Sequence, residues 1–329
     1  MTPDSLTDLA GARRLVTGEL HPPNDFYGQA TVLKRYAGQP GSVSLPLVFE
    51  HGVMLGDGVW AADVGAGLPT ILCPSPRRSA LIEVRSPAIT ATPVGPPIAY
   101  AGPPGEALDV GTAPADGPLL AFPAHSTHHI DVRYDVDAFV AGVRELRGKA
   151  WPEVVVCVYW RDVQRGTHRR YEAAGLRCVS AGHMFDSSFL DRLKHLLASA
   201  SAVVTNEVGT HVLYAAALGR PVGILAAEVD YAAPADVLAR DQAVGGAENI
   251  AAVARAFAGP PPASLSEEQR RLVTEICGTE YVRAPAEAAA LLERAERAYR
   301  QRVPAPRRLA ALARARGRAI RASALNRLA

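Results

Sequence analysis

Ala202-Val-Val-Thr-Asn-Glu-Val-Gly-Thr-His-Val-Leu-Tyr-Ala-Ala-Ala-Leu-Gly-Arg-Pro-Val-Gly-Ile-Leu225 decides the fold class, because it contains two apolar strands joined by a short helix. The first strand carries consecutive valines, as a strand that is covered on both faces requires. Residues 205–210 predict a polar turn that opens the helix, and Gly219 followed by Pro221 predicts its end. A helix that begins at the carboxyl end of a parallel strand predicts a phosphate-binding site. The alternative is an ordinary helix of a parallel α/β layer without a ligand.

Segment 118–225 repeats this alternation of apolar strands and amphipathic helices, which predicts a parallel sheet with right-handed crossovers. The predicted strands are 118–123, 153–159, 176–181, 202–205 and 221–225, and the predicted helices are 136–148, 163–174, 187–200 and one from about 209. Parallel strands bring their carboxyl ends to one edge of a sheet, so the polar residues that follow these strands are expected to lie together. They are His125, Trp160, Arg161, His183, Asn206 and Glu207.

A second, less regular α/β domain is predicted for residues 1–100. Short apolar runs predict its strands, and a helix is predicted at 29–37. The predicted strands are 14–18, 43–50, 70–73 and 88–94. Segment 101–117 is rich in Gly, Pro and Ala, which predicts a linker between this domain and a domain at 118–285.

The composition excludes several classes of protein. The 329 residues are 48% apolar and 21% charged, as is ordinary for a soluble globular protein. No apolar run reaches the roughly 18–20 residues of a membrane span, and the first residues lack the basic and apolar regions of a signal peptide. The four cysteines form no Cys-x-x-Cys pair, so we expect a cytoplasmic protein. The GxGxxG motif of dinucleotide-binding dehydrogenases and the GxxxxGK motif of P-loop NTPases are absent.

The net charge of +2 conceals a strongly basic C-terminus. Residues 294–329 contain eleven arginines and one acidic residue, Glu296, so the rest of the chain is acidic. Residues 286–329 are predicted to form the C-terminal helices. Pro304 and Pro306 predict a break between a first helix at about 285–302 and a basic amphipathic helix that follows it. Such a helix predicts binding to an anionic lipid surface at the inner face of a membrane, with little contribution to folding. The alternative is a solvated helix or one that docks on the acidic body, and no nucleic-acid partner is expected.

Several loops resemble those of a known enzyme class. Phe-Pro-Ala-His-Ser-Thr at 122–127, Ser-Ala-Gly-His at 180–183 and Thr-Asn-Glu-Val-Gly-Thr-His at 205–211 look like the donor-binding loops of bacterial polysaccharide-assembly glycosyltransferases and their sugar-nucleotide epimerase relatives. Asn-Asp-Phe-Tyr-Gly at 24–28 and Glu-His-Gly at 50–52 look like acceptor-side loops. The resemblance implies the GT-B fold, an α/β architecture of two Rossmann-like domains that face a cleft, followed by C-terminal helices.

The resemblance also implies an activity. The enzyme would move a sugar from a nucleotide-sugar donor to a hydroxyl of a glycan or small-molecule acceptor, without a metal or a cofactor. Negative charge develops on the departing nucleotide, and helix N-terminal amides and nearby hydroxyls stabilise such charge. A general base must take the proton of the acceptor, with Asp25 as the first candidate and His51 as the second. The implied donor-binding residues are His125, Ser126, Thr127, His183, Asn206, Glu207, Gly209, Thr210 and His211.

Other interpretations stay open at this point. Asp25 could instead cap the helix predicted to follow it. A sugar-nucleotide epimerase-like enzyme, or a non-catalytic partner of a transferase, would use the same cleft. Two groups of metal-ligating residue types lack a complete ligand set. They are His125 with His128 and His129, and Glu207 with His211, which would lie four residues apart on one helix.

Overall fold

The computed structural model describes residues 5–103, 106–127, 129–147, 151–235 and 246–326. The chain divides into two compact units. Unit 1 consists of Met1–Gly11, Asp109–His183 and Arg192–Thr274, and unit 2 of Ala12–Leu108, Met184–Asp191 and Glu275–Ala329. This division differs from the predicted boundaries, since residues 1–11 belong to unit 1 and residues 275–329 to unit 2.

The strands and helices of the described residues follow in chain order. The strands are β1 (Val48–Phe49), β2 (Thr70–Cys73), β3 (Thr90–Pro93), β4 (Leu119–Phe122), β5 (Asp131–Tyr134), β6 (Val154–Cys157), β7 (Arg177–Val179), β8 (Ala202–Thr205), β9 (Val222–Ile224) and β10 (Val229–Ala232). The α-helices are α1 (Leu6–Leu9), α2 (Gln29–Tyr36), α3 (Ala61–Val64), α4 (Pro76–Arg85), α5 (Val136–Arg147), α6 (Trp160–Gln164), α7 (His168–Ala173), α8 (Phe189–Ser199), α9 (Thr210–Ala217), α10 (Ala247–Ala256), α11 (Glu267–Cys277), α12 (Pro285–Arg302) and α13 (Ala305–Asn326). Short 3₁₀ helices lie at Pro22–Gly28, Pro97–Tyr100 and Thr279–Tyr281.

Unit 1 contains a five-stranded sheet in which all neighbouring strands are parallel. The strand order is β7-β6-β4-β8-β9, so the first strand of the sheet lies in the middle and the chain changes sides between β7 and β8. Strands β4, β6 and β8 are buried along their whole length, as their apolar sequences require. The predicted parallel α/β sheet is therefore confirmed. In this strand order the switch point of a doubly wound sheet lies between β4 and β8.

Two predicted elements have a different form in the structure. The predicted helix 163–174 is two short helices, α6 and α7, because Gly166 between them takes a left-handed φ of 78°. The predicted strand 14–18 has no regular secondary structure. Val16 there is exposed, and the hydroxyl of Thr17 accepts a local hydrogen bond from the backbone N–H of Glu19. The segment therefore lacks the burial that an apolar run implies.

Unit 2 contains a three-stranded parallel sheet in the order β1-β2-β3. Beside it lies an ion pair between Glu50 and Arg78, whose side chains are almost completely buried. The Arg78 guanidinium also donates hydrogen bonds to the carbonyls of Gly56 and Gly58. Glu50, directly after β1, therefore neutralises the buried guanidinium of Arg78. Removal of one partner of such a buried ion pair lowers the free energy of unfolding by about 3–5 kcal/mol.

The basic helix α13 packs within unit 2. Ala315 is completely buried, Arg318 donates a hydrogen bond to the carbonyl of Glu19 at 2.9 Å, and Asn326 exchanges hydrogen bonds with the backbone of Arg14. These contacts favour the docked alternative, and the expectation that this helix contributes little to folding stays a prediction. Among the described residues, no helix combines the length and apolar character that a membrane crossing requires.

Gly223 in β9 lies close to the backbone at 259–261 in unit 1. A Cβ at this position would lie 2.4 Å from the carbonyl oxygen of Gly259 and 2.5 Å from the nitrogen of Pro261. Backbone atoms cannot move aside as a side chain does, so we expect Gly223→Ala to destabilise the protein by about 1–3 kcal/mol in a denaturant titration. Gly18→Ala is the control, because no atom lies within 4 Å of its added Cβ. Equal stability of the two variants would contradict this packing.

Candidate functional site

The polar residues after β4 and β8 meet at the switch point of the unit 1 sheet. Phe122 and Thr205 are partners in the ladder, so the residues that follow them continue side by side. The backbone N–H of Ala124 donates to Oδ1 of Asn206 at 2.6 Å. One residue further along each strand end, Nδ1 of His125 lies 2.7 Å from Oε1 of Glu207. The structure thus brings together three residues that the sequence predicted at this edge.

His125 and Glu207 form a pair with unequal exposure. The side chain of Glu207 is 7% exposed, whereas that of His125 is 32% exposed. The second carboxylate oxygen of Glu207 accepts a hydrogen bond from the Tyr231 hydroxyl, and the His125 ring lies 4.5 Å from that of Tyr159. Burial opposes protonation of His125, but the charge and hydrogen bond of Glu207 offset it, so the pKa of His125 is raised. The arrangement presents a fixed, readily protonated imidazole.

Ser126 is held inside the loop after β4. Its hydroxyl accepts hydrogen bonds from the Arg165 guanidinium at 2.8 Å and from the backbone N–H of Val132 at 3.1 Å. Its backbone N–H donates to the carboxylate of Asp162 at 3.0 Å, and the side chain is 1% exposed. Burial raises the pKa of Asp162. The hydrogen bonds from Ser126 and the charges of His125 and Arg165 act to lower this pKa but do not offset the burial. Ser126 therefore fixes the path of the loop that presents His125.

The loop continues with a turn at Thr127, whose hydroxyl accepts hydrogen bonds from the backbone N–H groups of His129 and Ile130. His128 lies outside the described residues. Within the described ranges, no three metal-ligating side chains are grouped closely enough to hold an ion. Glu207 precedes α9, which begins at Thr210, so the prediction that Glu207 and His211 are four residues apart on one helix is wrong.

The start of α9 is organised by His211. Its Nε2 lies 2.9 Å from the Thr205 hydroxyl oxygen, which also accepts a hydrogen bond from the backbone N–H of Glu207. Burial lowers the pKa of His211 to about 4, so its ring is neutral at neutral pH. Among the described residues, no side chain caps α9. The backbone N–H of Val212 donates to the carbonyl of Gly209, which leaves the N–H groups of Thr210 and His211 for an anion.

Gly209, one of the predicted donor-binding residues, lies against the ring of His211. A Cβ added at this position would lie 2.8 Å from Nδ1 and Cε1 of His211. The φ of Gly209 is −155°, an extended conformation that any residue adopts. Gly209 is thus required by the neighbouring imidazole ring rather than by its own backbone angles.

His183 follows β7 and is almost completely buried. Its ring centroid lies 4.0 Å from that of Trp160, and its backbone N–H donates to the carbonyl of Leu9 at 2.9 Å. His183 therefore packs at the same edge of the sheet but is covered by an aromatic ring.

In unit 2, the predicted base Asp25 lies in the 3₁₀ helix Pro22–Gly28. Burial raises the pKa of Asp25. A hydrogen bond from Thr17 and the charge of Lys34 act to lower this pKa but do not offset the burial. The alternative that Asp25 caps the following helix is wrong, because α2 begins after Gly28, which adopts φ 74° and offers no side chain. The carboxyl group is thus left for another role.

The other predicted base, His51, belongs to a histidine–carboxylate cluster. The pKa of His51 is lowered, mainly because the ring is buried. The charge of Asp63 acts to raise this pKa, and that of His21 acts to lower it further. Nε2 of His21 lies 3.0 Å from a carboxylate oxygen of Asp63, and both side chains are 6% exposed. Trp60 stacks on the His51 ring with centroids 6.4 Å apart. Sequence reasoning missed His21 and Asp63, because they are 42 residues apart in the chain. The one sequence feature that could have indicated them is that His21 lies near the polar residues at 24–25.

Comparison with known proteins gives structural similarity alone. No protein-family model matches the chain. No curated protein matches it. The solved structures that resemble it include the spinosyn rhamnosyltransferase SpnG, with 16% identity over 68% of this chain and 52% of that one and a TM-score of 0.26. They also include the glycotransferase of kitacinnamycin, with 18% identity over 74% of this chain and 54% of that one and a TM-score of 0.29.

The chain spans about half the length of each of these two structures, which are glycosyltransferases by name. Because these TM-scores are low, the evidence for the α/β fold is the parallel sheets of the protein itself. The evidence for its function is the geometry at the switch point.

The His125–Glu207 pair gives a prediction for titration. Glu207→Gln removes the anion that raises the pKa of His125, so the ring is expected to titrate at lower pH when its NMR signals are followed. Because the folded-state pKa is raised, protonation of His125 stabilises the fold at low pH, and this contribution is lost as the pH rises through that pKa. Glu248→Gln, which removes an exposed acid of α10, is the control. An unchanged titration in Glu207→Gln would refute the coupling.

Proposed function

We propose that this protein is a glycosyltransferase whose unit 1 binds the diphosphate of a nucleotide-sugar donor at the switch point between β4 and β8. The observation that carries the proposal is His125, which Glu207 holds at 2.7 Å in a form that is readily protonated. The uncapped start of α9 follows the same strand end. A cationic imidazole and free amide groups are the groups that bind and stabilise a phosphate anion.

The chemistry requires one bond to break and one to form. The bond between the anomeric carbon and the phosphate oxygen breaks, and its electron pair leaves with the nucleoside diphosphate. The acceptor hydroxyl oxygen forms the new bond to that carbon, and its proton passes to a base. His125 and the α9 amides would stabilise the charge on the departing diphosphate, so we propose that the transfer needs no metal or other cofactor.

The bases proposed for the acceptor are Asp25 and His51. His51 has a lowered pKa and is neutral at neutral pH, as a base must be before it accepts a proton. Asp25 has a raised pKa, which makes its carboxylate a stronger base than an exposed one. The acceptor in this proposal is a glycan or a small molecule, and the loop resemblance favours a glycan of surface-polysaccharide assembly.

We also propose that the protein is cytoplasmic and that the outer face of α13 binds anionic lipid. Leu309 is 68% exposed and Ile320 is 69% exposed, about three helical turns apart on one face. The exposed arginines of the helix flank them, and α13 contains no acidic residue. An exposed apolar stripe flanked by arginines is typical of helices that lie in a membrane interface. Arg307, Arg314 and Arg321 flank this stripe, and Arg316 lies within it, between Leu309 and Ile320.

Nucleotide binding provides the test of the proposed function. We expect at least one of UDP, dTDP, GDP and CMP to raise the melting temperature, by mass action on the folded state. His125→Ala removes a charge-assisted hydrogen bond of about 1.5–3 kcal/mol, so its affinity is expected to fall roughly ten-fold or more in calorimetry. Asp25→Asn and His51→Ala are the matched variants, expected to keep nucleotide affinity and lose nucleoside diphosphate release. EDTA is expected to leave both activities unchanged.

Three outcomes would contradict this assignment. Binding of none of the nucleotides would remove the donor site, and full affinity in His125→Ala would remove His125 from it. Conversion of the nucleotide sugar without any acceptor would identify an epimerase-like enzyme instead.

Lipid binding provides a separate test. The double variant Leu309→Ser/Ile320→Ser loses the apolar side chains that would enter the interface, at roughly 1.5–3 kcal/mol for each fully buried side chain. We expect its binding to vesicles rich in phosphatidylglycerol to fall at least ten-fold in sedimentation assays, and salt to weaken binding of the unaltered protein. Val84→Ser, at a residue that is 84% exposed on α4, is the control. Equal sedimentation of all three proteins would exclude α13 as the lipid contact.

A further inference from the structure

Unit 1 contains a cavity of about 900 Å³ beside the switch point. One wall is the antiparallel pair β5 and β10, another is the first part of α5, and the third is the segment after β9. Asn206, which follows β8, also lines it. Tyr231 of β10 donates a hydrogen bond to Glu207, so the wall of the cavity is joined to the His125–Glu207 pair.

Asn206 brings an unused hydrogen-bond donor to this cavity. Its Oδ1 accepts the backbone N–H of Ala124, which fixes the orientation of the amide because only oxygen can accept there. Nδ2 is buried and has no hydrogen-bond partner among the described residues, and the residue is 4% exposed. A buried amide donor without a partner is unfavourable, so an oxygen of a ligand in the cavity would satisfy it.

The charges of the lining exclude a phosphate from this cavity. Among the described residues, they consist of one cation, Arg133, and three carboxylates. One oxygen of Asp135 already accepts the N–H groups at the start of α5, while Glu228 and Asp230 are exposed to the cavity mouth. Carboxylates repel phosphate but accept hydrogen bonds from hydroxyl groups. The apolar surface between them comes from Leu225, Ala226, Ala227 and Val229, beside the largely buried Phe139.

We propose that this cavity binds the uncharged, hydroxyl-rich ring of a ligand, with a ring oxygen or hydroxyl accepting the Nδ2–H of Asn206. Sugar rings and ribose share this chemistry, because both present hydroxyl groups on an otherwise apolar ring. The carboxylates accept hydrogen bonds from the hydroxyl groups, and the aliphatic lining covers the apolar face. The phosphates stay outside, at His125 and the start of α9. The proposal deepens the proposed function and rests on it only for the position of the phosphates.

Filling the cavity provides the test. Ala138 is exposed on α5 and lines the cavity, whereas Ala141 is exposed on the same helix and does not line it. Ala138→Phe therefore places a ring in the cavity, and Ala141→Phe adds the same ring elsewhere. The probes are methyl α-D-glucopyranoside and uridine, which carry no charge, and UDP. Binding of each is measured by saturation-transfer difference NMR.

We expect at least one uncharged probe to bind the unaltered protein and Ala141→Phe, and its affinity to fall at least ten-fold in Ala138→Phe. Asn206→Asp is expected to cause a similar loss, because it retains the acceptor for Ala124 and removes the donor. Loss of the glucoside alone would identify the ring as a sugar, and loss of uridine alone would identify ribose.

Failure of the two proposals is distinguishable. Binding of an uncharged probe without binding of UDP would overturn the phosphate site and leave the cavity assignment standing. Absence of binding by both uncharged probes, or equal affinity in Ala138→Phe and Ala141→Phe, would overturn the cavity assignment.

Discussion

The parallel pairing of β4 with β8 is the constraint on which the candidate site depends. Their ladder aligns Phe122 with Thr205, so the chain segments that leave the two strands run next to each other. Asn206 then anchors one segment to the other, and Glu207 meets His125. A slip of one residue in this ladder would move Asn206 away from Ala124 and Glu207 away from His125. The register of β8 against β4 therefore positions the imidazole.

The sequence predicted the parts of the fold that depend on local apolar runs. β8 has the predicted bounds because Ala202–Thr205 is apolar and followed directly by polar residues. The edge of the sheet was predictable too, since parallel strands end on the same side. The partners across that edge were not, because His125 and Glu207 are 82 residues apart and only the strand order brings them together. A local pattern can also mislead. Residues 163–174 have a helical pattern, but one glycine in a left-handed conformation divides them between two short helices.

Polar burial in unit 2 was hidden from sequence reasoning for a related reason. A buried charge is tolerated when a partner meets it, and the partner can come from anywhere in the chain. Glu50 finds Arg78 28 residues later, and His21 finds Asp63 42 residues later. The polar residues that sequence reasoning singled out at 24–25 and 50–51 therefore lie among buried charges whose other members carried no local pattern.

The two units are interleaved along the chain, and α8 and α11 each begin in one unit and end in the other. No division of the gene at a single codon would leave both units whole. Two polypeptides made from such a split gene would each carry a segment that belongs to the other's unit. They would have to exchange those segments during co-folding before both units were complete. A single crossover within the coding sequence would meet the same obstacle, because it would exchange segments of both units at once.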